Sequence, residues 1–373
     1  MFKKIKLLVL AAFIVACNSD DSGKSGNTDT DNFDRGAMLE NWADNIIIPS
    51  FENFSGKTAS LEEAAVNFAE DPSEGNLAIL RAAFEEAYLE YQTVAPFEIG
   101  EAEALDYHGF LNIYPADAAA ITAKAEANSF NLELPGSRDE QGFPALDYLI
   151  NGLGETDTEI VSFYTSENEN SEGYKNYLTA VTARINALTN AVLADWKNSY
   201  RDIFVNNTSS SSTGSVDKFT NDFVMYFEMD LRSGKIGIPA GAFSGNPAPE
   251  TAEAYYSEDL SKQLYLKAFE TFRNFFNGKH FNSSQTGPSY KQYLEYLHSI
   301  RGGENIAALI NEQMADVVQQ ADALQSNLAE QVRTDKDVML AAFDELQKLV
   351  VLLKIDMLQA LDISVDYVDT DGD

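Results

Sequence analysis

DPSEGNLAILRAAFEEAYLEY, residues 71–91, decides the fold. Asp71 stands as a helix N-cap, Pro72 at the first helical position and Glu74 at the third, residues that satisfy or dispense with the amides a helix start leaves open. Leu77, Leu80, Phe84, Tyr88 and Tyr91 then recur at three- and four-residue steps, so one face of a 3.6-residue helix is apolar throughout. The same period runs through Tyr177, Val181, Ile185, Leu188, Val192 and Trp196. It returns in Ile306, Ile310, Met314, Val317, Ala321, Leu324 and Leu328, and again in Val338, Ala342, Leu346, Leu349, Leu353 and Leu358. Alternation with period two is scarce, and residues 363–368 are the best stretch of it. The expectation is an all-α protein: two packed helical bundle subdomains with helices of about four to seven turns.

Residues 206–215 read NNTSSSSTGS, a low-complexity break between the helical halves. It divides the chain into helical segments 35–205 and 217–373, with 206–216 as a linker; a long loop between two helices of one bundle would look identical.

The N-terminus carries an address. Lys3, Lys4 and Lys6 precede an uncharged apolar run over residues 7–16, the layout of a secretory signal and too short to span a bilayer. The run ends in IVAC (14–17), which resembles the lipobox of bacterial lipoproteins, so residues 1–16 are expected to be removed and Cys17 to be lipidated as a membrane anchor. Residues 17–34 are polar, acidic and rich in Gly and Ser, as a tether is. Asp20 and Asp21 resemble the acidic surface-export signal of Bacteroidetes lipoproteins, or are ordinary linker. The expected location is the outer membrane, facing the periplasm or the cell exterior.

Cys17 is the only cysteine, so no internal disulfide is available and stability must come from a packed core. The formal charge of -33 makes nucleic acid and anionic lipid surfaces poor partners. It serves either as a solubilising coat or as an attraction for cations.

Chemistry is sparse. The three histidines, His108, His280 and His298, form no His-Glu-x-x-His motif, and no nucleophile elbow, phosphate loop or dinucleotide fingerprint is present. Four connectors are unusually apolar and glycine-bearing: APFEIG (95–100), QGFPALDYLI (141–150), RSGKIGIPAG (232–241) and the acidic ending DTDGD (369–373), which echoes the first half of a calcium loop.

These connectors, with the Trp42 segment leading to Pro49 and the YPAD helix start at 114–117, together resemble the imelysin family of exported bacterial helical proteins. Some members are classed as metallopeptidases and some are iron-regulated, and the likeness runs from about Leu39 to the C-terminus. The family signature, Gly-x-His-x-x-Glu, places histidine and glutamate on one helix face where they can share a cation. Here Gly142 matches, Pro144 stands at the histidine and Asp147 at the glutamate. Proline has no lone pair for a metal, so the resemblance implies a binding protein rather than a peptidase, and no catalytic residue is assigned.

The expected ligand site is a cleft lined by Glu98, Gly142, Asp147, Arg232 and Lys235, with His108 and Asp147 as metal-ligand candidates. Asp147 is either a site residue or a structural anchor paired with Arg138, Arg232 or Lys235. Glu98 either lines the pocket with Asp147 or caps the helix after Gly100. Arg232 and Lys235 suit an anionic group, or else pair with Glu228 or Asp230. The resemblance implies iron, another divalent cation, haem or a further small molecule as ligand, and a TonB-dependent receptor as partner. Two alternatives stand beside this: a metallopeptidase built from Glu98, His108 and Asp147, and a structural surface adhesin, which predicts no pocket.

Overall fold

In the computed structural model, which describes residues 31–367, the 71–91 stripe forms the helix Glu74–Tyr91 with Leu77, Leu80, Phe84, Tyr88 and Tyr91 all fully buried. Its cap sits two residues later than expected. Ser73, not Asp71, accepts from the Asn76 amide at 3.3 Å, while Asp71 ends the preceding helix Ile48–Glu70. The two helices pack antiparallel, with helix Ser171–Asp195 against Ile48–Glu70 on the other side. Phe143 fills the centre of this group, stacked on Tyr88 at 4.5 Å and flanked by Phe54, Phe84 and Tyr91.

Helices Ser215–Tyr226, Leu260–Phe276, Tyr290–Arg301, Ile306–Ala321 and Leu328–Val351 build the second half around Phe219, Phe223, Phe272 and Phe275. The stripe from Ile306 to Leu328 serves two helices. The first ends at Ala321, and Asn327 caps the next by accepting from the Glu330 amide at 3.0 Å. Residues 363–367 form no strand. Helix makes up 71% of the structure and no strand occurs among the described residues, so the fold is all-α as expected.

From Phe33 onward the described residues gather into one compact unit. The first helix, Arg35–Trp42, packs on the second half: Trp42 lies within 5.5 Å of Phe219, Phe275 and Tyr290, and Asn41 donates to the Pro288 carbonyl at 3.0 Å. Phe33, at the end of the expected tether, stacks on Tyr293 at 4.3 Å. The low-complexity break is a loop between helices Arg201–Asn206 and Ser215–Tyr226. The signal, Cys17 and the acidic ending at 369–373 lie outside the described residues.

Wide π-helical turns interrupt the α-helices at Ala43–Ile47, Tyr148–Gly152, Trp196–Tyr200, Phe227–Gly237 and Leu352–Met357. Runs beyond a single such turn are rare, and they often mark places where side chains must be re-aimed. The eleven-residue turn Phe227–Gly237 holds Glu228, Asp230, Arg232 and Lys235, three of them buried.

Candidate functional site

The APFEIG connector follows helix Glu74–Tyr91 and reverses at Gly100, whose φ of 64° and contact with the Tyr200 ring leave no room for a side chain. The chain then turns again at Asp106, φ 54°, and starts the short helix Tyr107–Leu111. Glu98 caps this second helix, not the one after Gly100: its carboxylate accepts from the His108 amide at 3.0 and 3.2 Å and from the Tyr107 amide. Burial nevertheless pushes its carboxyl up to about 8, the two amides opposing and Asp230 and Asp106 adding to the shift.

Glu98 and His108 line a cavity of about 540 Å³ together with Asp222, Tyr226, Met229 and Asp230 from the second half. His108 is held at both nitrogens. Its Nδ1 is 2.9 Å from the Tyr91 hydroxyl, which burial keeps protonated, and its Nε2 is 3.3 Å from Asp230 Oδ1. Asp222 Oδ2 and the Tyr226 hydroxyl are buried without a hydrogen-bond partner. Burial raises the Asp222 carboxyl to about 7, with Lys218 opposing. Glu103 and Asp106 add acidity at the rim, and the one arginine lining the cavity, Arg138, is bonded to Asp106. The cavity therefore offers negative charge, one orphaned carboxylate oxygen and a methionine wall.

Asp147 lies elsewhere. It lines a separate cavity of about 240 Å³ with Tyr114, Pro144 and Tyr256, so Glu98 and Asp147 do not share a pocket. Its side chain is buried and fully engaged: Oδ2 accepts from the Tyr256 amide at 2.9 Å, and Oδ1 accepts from Asn151 at 3.0 Å and from the Ser257 hydroxyl. None of Arg138, Arg232 and Lys235 pairs with it. Burial raises its carboxyl to about 6 against these hydrogen bonds. Asp147 is thus the anchor of the 256–257 segment. Pro144 sits in the first turn of helix Gly142–Asp147, where a missing amide costs nothing. Gly142, at φ 74°, would place a Cβ 2.2 Å from the Leu111 carbonyl oxygen. The signature stretch is packing throughout: proline offers no donor and the Asp147 oxygens are occupied, so these residues do not fit the metal that the family signature implies. Among the described residues, no group of three or more His, Asp or Glu side chains is arranged to hold a metal ion.

Arg232 and Lys235 turn inward rather than toward a ligand. Arg232 bonds Gln347 and lies 3.6 Å from Glu228, sandwiched against Phe243 and Phe343. Lys235 bonds Glu253 Oε2; Glu253 Oε1 accepts from Asn112 at 2.8 Å and Gln92 at 3.3 Å, and Asn112 accepts from Tyr88 at 2.6 Å. Glu253, Asp222, Tyr226 and Asp230 are the residues that sequence reading missed as site groups. Glu253 stands between two alanines in a connector, and nothing local marks it.

The sequence model of the imelysin family matches residues 47–362. Two solved structures are similar in fold. An imelysin-like protein from Psychrobacter arcticum 273-4 aligns with TM-score 0.65 at 17% identity, over 89% of this chain and 96% of that one. A "putative iron-regulated protein A precursor" from Parabacteroides distasonis ATCC 8503 aligns with TM-score 0.69 at 16% identity, over 88% and 96%. No curated protein is matched by the sequence.

Proposed function

The chain belongs to the imelysin family, and from that premise we propose that it is a non-enzymatic binding protein, lipid-anchored through Cys17 at the outer membrane, whose ligand is a cation linked to iron uptake. The observation that carries this reading is the buried, partnerless Asp222 Oδ2 in the wall of the acidic 540 Å³ cavity. An unpaired buried acceptor costs about 1–3 kcal/mol, a penalty that a cationic or donating ligand relieves. A surface adhesin predicts no pocket, so the cavity speaks against it. The peptidase reading, built from Glu98, His108 and Asp147, loses support because Asp147 lines a different cavity and its oxygens are taken by Tyr256, Asn151 and Ser257.

Because the carboxylates do not converge on one point, the cavity suits a cation that brings its own shell, a hydrated ion or a chelate, held by charge and hydrogen bonds. Haem is a poorer match, since its two propionates would face the acidic Glu103, Asp106 and Asp230. The likeness to a protein described as iron-regulated supports iron as the cargo, and a TonB-dependent receptor would be a suitable recipient.

Calorimetric titration of the full chain with ferrous iron under anaerobic conditions, and with hexaamminecobalt(III) as an inert complex cation, tests the reading. Binding of either probe, weakened at least tenfold by Asp222→Asn, is expected. If neither probe binds, or if the variant binds as the wild type does, the proposal fails. Cys17→Ser should move the protein from the membrane to the soluble fraction.

A further inference from the structure

A third cavity, of about 330 Å³, has the opposite character to the acidic one. It lies where the start of helix Ile48–Glu70, the turn at Thr93, helix Leu260–Phe276 and the 279–284 turn meet. The sequence has 59 acidic residues against 26 lysines and arginines, yet this cavity is lined by Lys267, Lys279 and His280 with a single acid, Glu270, which lies 3.7 Å from Lys267. Lys279 has no carboxylate within ion-pair distance among the described residues, and His280 Nε2 is buried without a hydrogen-bond partner. Thr93, Asn274 and Ser284 add neutral hydrogen-bonding groups.

The basic turn is fixed by backbone bonds. The His280 amide donates to the Gln285 carbonyl at 2.9 Å, the Phe281 amide to Asn45 at 2.9 Å, and the Gly287 amide to Gly278 at 2.9 Å. The backbone that carries Lys279 and His280 is therefore ordered before any ligand arrives, which lowers the ordering cost of binding. The volume is at the small end of ligand sites.

We propose that this cavity binds a small ligand bearing an oxyanion, a carboxylate or a phosphate, gripped by Lys279, Lys267 and His280. The site is distinct from the acidic cavity and independent of what that cavity holds. Two cavities of opposite charge let one protein take a cation and an anion at separate places.

The test is titration of the full chain at low salt with inorganic phosphate and, separately, with succinate. Either probe should bind, more weakly as ionic strength rises, and the tighter of the two identifies the head group. Lys279→Gln and Lys267→Gln should each raise Kd at least tenfold. Lys348→Gln, a lysine 59% exposed elsewhere, should leave Kd unchanged. So should Asp222→Asn, which separates failure here from failure of the acidic cavity. Lys267 is on a helix surface, so its variant keeps the test decisive should Lys279→Gln unfold. The proposal is overturned if neither probe binds, or if Lys348→Gln weakens binding as much as the two site variants.

Discussion

Lys235 and Glu253 form an ion pair whose side chains are 4% and 2% exposed, and the same glutamate accepts hydrogen bonds from Gln92 and Asn112, more than 140 residues earlier in the chain. A buried pair contributes little net stability against an apolar substitute, but removing one partner strands the other charge. Lys235→Met should therefore lower unfolding free energy by about 3–5 kcal/mol, read from the urea midpoint. Adding Glu253→Gln to the variant should recover much of the loss. Equal loss in single and double variants would show that packing, not charge, dominates there.

The acidic cavity makes stability depend on pH with a definite sign. The Glu98 carboxyl is raised from 4.5 to about 8 and that of Asp222 from 3.8 to about 7. In this window the folded protein holds protons on these two groups that the unfolded chain has released, so their contribution to stability is fullest below about pH 4 and is lost as pH rises toward 8. Glu98→Gln and Asp222→Asn should flatten the slope of melting temperature between pH 5 and 8 and raise it at pH 8 by roughly 2–4 °C. An unchanged slope in both variants would refute the assignment.

Asp147 holds the Tyr256 amide, the Ser257 hydroxyl and Asn151. Asp147→Ala leaves these donors without an acceptor and should cost about 1–3 kcal/mol. Limited proteolysis should find new cleavage near residues 255–258, while cation binding in the other cavity is retained. Loss of cation binding with an intact 255–258 segment would return Asp147 to the ligand site.

Gly142→Ala should be among the most damaging small substitutions. It adds a Cβ at φ 74° against the Leu111 carbonyl, and strain and overlap together should cost at least about 2 kcal/mol. Thermal melting will measure it. Gly56→Ala, in open space on helix Ile48–Glu70, is the control and should not destabilise.

The helices were legible because their periodicity is local. The Leu77 to Tyr91 and Tyr177 to Trp196 stripes are buried as their spacing requires. Helix ends were less so: Ser73 outcompetes Asp71 as cap, and one stripe continues across the turn after Ala321 because both helices face the same core. Glu98 and His108 were legible as residues in need of a partner, because a polar group in a largely apolar stretch must be satisfied somewhere, and the two line one cavity. Their partners were not. Asp222 and Asp230 sit on helical segments where carboxylates are expected on the solvent face, and only tertiary packing sets Asp230 against His108 and puts Asp222 in the wall of the same cavity. Arg232 and Lys235 misled for the converse reason: a basic pair beside glycines resembles an anion receptor, and its buried counter-charges come from Glu228 one turn away and Glu253 across a loop.

The tight passage of the Leu111 carbonyl over Gly142 bears on how such chains are sorted. The first position of Gly-x-His-x-x-Glu can be met for steric reasons alone, by the absence of a single carbon, whatever stands at the third. The glycine and the metal donor of the signature are then separate matters: the first answers to a missing methyl, the second to an imidazole where this chain has Pro144. A classifier keyed to the glycine will gather scaffolds. One keyed to the third position will separate chains that keep the signature imidazole from those, like this chain, that carry Pro144 there.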